Sequence, residues 1–179
     1  MRAASSRAAT TTVTAGAPAA TPSGTASPDA SSSAAPASTC PTENTRAFAK
    51  TRFVADVGGS VFLFNRYIYQ PYRAGTFQQG AQGRRTALIK AGLAGAATVK
   101  LLKNASENAK ANPTLCRTVA EPLSQATSRL GGIATGLATG AVTGSSLTGI
   151  SSLLEGVTGG AGQAGVPVQE QNPGIPGLG

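Results

Sequence analysis

The chain has no histidine, no tryptophan and two cysteines, and only seven of its 179 residues are acidic. Each scarcity closes a class of function. Without histidine the usual general base near neutral pH is missing, and with it the common partner of a nucleophilic Ser or Cys. The carboxylates of the charged region, Glu43, Asp56, Glu107 and Glu121, are scattered, so no carboxylate pair suggests acid–base work. Two cysteines alone cannot complete a tetrahedral metal site. The composition predicts a protein that is not an enzyme and takes no cofactor or metal. Long apolar runs are also lacking, so neither a secretory h-region nor a transmembrane span of about 20 apolar residues is visible.

What is present is concentrated. All eight aromatic residues fall between Phe48 and Phe77, and 13 of the 15 Lys and Arg lie between Cys40 and Arg129. That block holds four acids, which leaves it at a net +9, while everything after Arg129 has two acids and no base. A basic block of this kind attracts anionic partners such as nucleic acid, anionic lipid or wall polymer, or simply keeps a small domain soluble. Residues 1–39 contain 13 Ala, 8 Ser, 7 Thr and 4 Pro, with Met1 and Val13 their only large apolar side chains. Such a segment buries too little to offset its ordering entropy and is expected to be disordered. Arg2 and Arg7 amid Ser, Thr and Ala fit an organellar transit peptide, whereas Ala35-Pro36-Ala37 fits the spacer behind a cleaved export signal.

Proline punctuation and apolar spacing predict three helices in 40–130. In the first, Phe53, Val57, Val61, Phe64 and Ile68 form one stripe, with Gly58-Gly59 marking a kink or a close contact and Pro71 the end. A second helix is expected over about 83–111, with Leu88, Gly92, Gly95, Val99 and Leu102 on one face and a Lys103–Glu107 pair. Asn112-Pro113 caps a third, whose stripe is Leu115, Val119, Leu123, Ala126, Leu130, Ile133 and Leu137, bent near Thr118 by Pro122. The fold class is therefore all-α: a small three-helix up-down-up core between disordered low-complexity tails. Residues 131–179 read as a Gly-rich tail, weakly helical and then disordered, because each Gly costs helix stability. Gly132, Gly136, Gly140 and Gly144 recur at every fourth position, a face for zipper-like self-association if the segment is helical.

Two sites stand out. In an up-down-up arrangement the first and third helices start at the same end, which brings Cys40 and Cys116 together; a disulfide there implies an oxidising compartment, and two unrelated thiols are the alternative. The second site is the turn between helices 1 and 2, where Arg66, Tyr67, Tyr72, Arg73, Arg84 and Arg85 combine guanidinium forks with rings suited to an anionic partner. The bland alternative is that the rings pack the turn and Arg stems cover them.

The run Tyr67-Ile-Tyr-Gln-Pro71-Tyr-Arg-Ala-Gly75-Thr-Phe77, with Ala87-Leu-Ile-Lys-Ala-Gly92 and Pro113-Thr-Leu-Cys116, resembles small uncharacterised exported helical proteins of high-GC actinobacteria. The resemblance covers about residues 45–125 and implies an α-helical fold and an extracellular or cell-envelope location. The expected function is binding of an anionic lipid, wall polymer or protein partner through the basic–aromatic turn. The alternatives are an intracellular nucleic-acid-binding protein and a structural protein that self-associates through the glycine repeat.

Overall fold

The structure, a computed structural model, describes residues 40–139 and 141–178. The segment 1–39, expected to be disordered, lies outside the described residues, as does Gly140 of the glycine repeat.

The apolar stripe of the first helix is buried as its spacing predicts. Helix α1 spans Ala49–Phe64, and Phe53, Val57, Phe64 and Ile68 are all inside, with Val61 packed beside them. Pro71 does not stop this helix. The backbone passes through a π-helical turn at Asn65–Tyr69 and on into α2, Gln70–Arg73, with the Gln70 N–H donating to the Asn65 carbonyl. A proline ring collides with the carbonyl four residues back, and one wider turn relieves the collision without breaking the rod. The end comes at Gly75, which adopts φ 71° while Thr76 N donates to the Pro71 carbonyl and Gly75 N to that of Tyr72. This is the left-handed C-terminal closure that glycine favours.

Helix α3 runs Arg84–Lys110, and α4 runs Pro113–Thr139. The buried line of α3 is Ala91, Ala94, Gly95, Thr98, Leu102, Ala105 and Ala109; it lies slightly to one side of the predicted face, so Leu88 and Val99 are only half-buried. Glu107 pairs with Lys110 at 3.6 Å, one turn on the other side from the expected Lys103. Asn112 caps α4, its Oδ1 accepting from Thr114 N at 3.1 Å and Leu115 N at 3.0 Å. All seven residues of the α4 stripe, Leu115 to Leu137, are buried.

The stretch after residue 130 differs most from expectation. Helix α4 continues to Thr139, and a further helix, α5, spans Gly144–Gln163. Leu147, Ile150, Leu154, Val157 and Ala161, at steps of 3, 4, 3 and 4, are buried against the other helices. Six glycines in α5 cost about 6 kcal/mol against alanine. Burying its four large apolar side chains returns roughly 6–12 kcal/mol. Burial wins, and the weakly helical tail becomes the fourth member of a bundle. Residues 164–178 then run back along the bundle as an extended strap with Val166 and Leu178 buried.

Neighbouring helices are antiparallel. Thr45 N donates to the Ala111 carbonyl at one end of the α1/α3 pair, and Gly95 faces Ile68 near the other. Gly95 also abuts Ala134 of α4, Gly160 of α5 abuts Val119, and Gly144 meets the Tyr72 ring. The expected up-down-up core is present, with α5 closing it. Gly58 and Gly59 are places of close approach: a Cβ on Gly58 would lie 2.3 Å from the Gln169 carbonyl oxygen of the strap.

Candidate anion-binding cleft

Cys40 and Cys116 are joined by a disulfide, with their Cα atoms 5.7 Å apart. The bond sits at the pole formed by the start of α1, the α3–α4 turn and the start of α4. Asn112 Nδ2 donates to Asn44 Oδ1 beside it, so the arm leading into α1 is held by both covalent and hydrogen bonds. Such a bond persists in an oxidising compartment. Among the described residues, no helix is long and apolar enough to cross a membrane.

The basic–aromatic turn lies at the opposite pole. Residues 74–83 fold as consecutive tight turns, with Gly80 and Gly83 also at positive φ. Arg84, first residue of α3, donates from Nε to the Phe77 carbonyl at 2.9 Å, which closes the connection and fixes the direction of its guanidinium. Arg73 at the end of α2 extends over the Tyr69 ring, 5.9 Å from its centroid. Between these two cations opens a cleft of about 520 Å³. Its apolar wall comes from Phe77, Leu88, Leu137 and Val142, and no carboxylate lines it.

The six residues singled out in the sequence separate here. Tyr72, Arg73 and Arg84 line the cleft together. Tyr67 instead donates its hydroxyl to the Leu178 carbonyl and packs edge-on against Phe62, so its polar handle belongs to the strap. Arg66 and Arg85 are exposed and line no part of the cleft. Of the repeat glycines, Gly132 faces open space, Gly136 faces Val142, and Gly144 faces Tyr72. Gly132 and Gly136 thus lie on α4 and Gly144 opens α5, so these three do not share one helix face. Sequence reading missed Leu137 and Val142 as cleft residues. Leu137 carried a signal as the last member of the α4 stripe; Val142 carried none, because its place depends on where the chain turns.

Asp56 is the carboxylate with a perturbed environment. Half-burial raises its pKa, while the hydrogen bond from Asn108 Nδ2 at 3.1 Å and the charge of Arg52 pull it back down. Among the described residues, no group of three His, Cys, Asp or Glu is placed to hold a metal ion. The chain matches no family model, no curated protein and no solved structure.

Proposed function

We propose that this is a non-enzymatic, exported or cell-surface helical protein that binds an anionic surface or partner through the pole formed by the α2–α3 connection. The observation that carries the reading is the charge distribution. The α2–α3 pole gathers Arg73, Arg84 and Arg85, with Arg66 and Lys90 on the adjoining turns, and no carboxylate lines the cleft between Arg73 and Arg84, while Glu155 and Glu170 line a separate pocket with Asn65 and Tyr69. A pole with this excess of cations attracts anions over a distance of about one Debye length, ~8–10 Å at physiological salt. The disulfide supports an exported setting, since thiols are held reduced in the cytosol. The resemblance to exported actinobacterial proteins points the same way.

The test is the triple variant Arg73→Gln, Arg84→Gln, Arg85→Gln in co-sedimentation with anionic phospholipid vesicles. Each cation near such a surface contributes about 1 kcal/mol, so affinity should fall by about two orders of magnitude and its salt dependence should flatten. Far-ultraviolet circular dichroism should report unchanged helix content. Equal vesicle binding by the two proteins would overturn the reading, and a variant that loses only duplex DNA binding would move it to nucleic acid.

A further inference from the structure

A surface that merely attracts anions needs no cavity, yet the two best-placed arginines flank one with an apolar wall. The cleft volume of about 520 Å³ lies within the roughly 300–1,000 Å³ typical of small-molecule sites. Its two sides differ chemically. Arg73 and Arg84 offer guanidinium forks suited to phosphate or carboxylate, while Phe77, Leu88, Leu137 and Val142 offer only carbon. Inorganic phosphate would engage the forks and leave that wall wet; a neutral apolar molecule would bury carbon and leave the forks without a counter-charge. A ligand with both parts meets the guanidinium forks and the apolar wall together, with Tyr72, Gln78 and Gln79 as further polar neighbours of its head.

We propose that the cleft binds one molecule of an anionic amphiphile, its head between Arg73 and Arg84 and the first carbons of its chain against Leu88, Leu137 and Val142. The proposal rests on the reading above that this pole takes anions, and it adds the class of ligand. Arg84 is prepared for the role. Its Nε is already committed to the Phe77 carbonyl, so the guanidinium plane is set before a ligand arrives and little side-chain freedom remains to be lost. Arg73, stacked over Tyr69, is similarly guided. Three parts of the chain must be folded together to make the site: the α2–α3 connection, the end of α4, and the turn into α5.

The full chain with its disulfide intact should be titrated with octyl phosphate below its micelle concentration, using calorimetry and methyl NMR. Inorganic phosphate, octanol and octanoate form the comparison arms. Octyl phosphate should bind with one-to-one stoichiometry, shift the Leu137 and Val142 methyl signals, and bind at least roughly tenfold more tightly than phosphate or octanol. Binding of octanoate as well would identify the head as any compact anion; its failure would restrict it to phosphate. Val142→Phe, which fills the wall, should weaken octyl phosphate by about tenfold or more while anionic vesicle binding persists. If that variant loses native helicity, Arg73→Gln, at an exposed position, should give the same weakening. Octyl phosphate binding no tighter than inorganic phosphate, or shifting methyls elsewhere, overturns the proposal. Vesicle binding that survives such a result leaves the surface reading standing; octyl phosphate binding without vesicle binding leaves the cleft standing alone.

Discussion

Asp56 shows how a single side chain can set the acid response of the bundle. It is half-buried on α1, accepts from Asn108 of α3, and lies one turn after Arg52. Burial is the largest influence and raises its pKa above the ordinary 3.8. A raised carboxyl pKa means the folded state holds the proton more tightly than the unfolded chain. The resulting stabilisation is complete below 3.8 and is lost as pH rises through the folded value, so at neutral pH the ionised group opposes folding. Asp56→Asn should therefore raise the urea midpoint at pH 7 and remove the part of the pH dependence that lies above 3.8. A lower midpoint for the variant at pH 7 would mean that Asn108 and Arg52 outweigh burial. Little of this was legible in the sequence, where Asp56 falls on the polar side of a helix. Its half-burial arises because α3 crosses there, and a single helix's periodicity does not encode its neighbour's position.

At the scale of elements, the strap and α1 are fitted to each other. Gln171 N donates to the Gly58 carbonyl at 3.2 Å, Asn65 Nδ2 donates to Glu170 Oε1 at 3.2 Å, and Pro173 packs against Gly59. Above them Leu178 joins Leu63 and Ala94 in a second, smaller apolar cluster. Gly58→Ala would gain up to about 1 kcal/mol of helix propensity but place a methyl into the Gln169 carbonyl. That carbonyl is backbone, so the strap must leave. The expected outcome is fast amide exchange at residues 166–178 with α1–α5 still protected, and a lower melting temperature. Gly92→Ala on α3, with nothing within 4 Å of the added methyl, is the control and should stabilise by up to about 1 kcal/mol. Unchanged exchange in Gly58→Ala would show that the strap contributes no contact worth the glycine. The sequence announced the glycine pair but not its partner. Val166, Ile175 and Leu178 follow neither a helical nor a strand period, and an extended segment that docks by backbone bonds leaves no repeating trace.

For the whole molecule, α1, α3 and α4 were legible because apolar spacing, proline and an Asn cap all pointed the same way. The fourth helix was legible in its 3, 4, 3, 4 spacing and obscured by glycine, whose cost is local while its compensation is tertiary. The disulfide spans a sequence separation of 76 and should stabilise the bundle by about 4 kcal/mol in the chain-entropy description. Denaturant unfolding with and without a thiol reductant should show a loss of that order with an unchanged folded-state spectrum. A loss below about 1 kcal/mol would mean that residual structure in the reduced, unfolded chain already restricts the ends of the loop.

Binding through the α2–α3 pole, as proposed above, would fix how the molecule lands on a surface. Helix α3, at 27 residues, is roughly 40 Å long, so a molecule standing on its α2–α3 pole occupies a narrow footprint and forms a thick layer. Cys40, where the N-terminal segment joins the bundle, is then at the outward pole. Neutron reflectometry on an anionic supported bilayer reads this directly: a folded layer near 40 Å thick fits upright binding, and one of about half that thickness fits molecules lying on their sides.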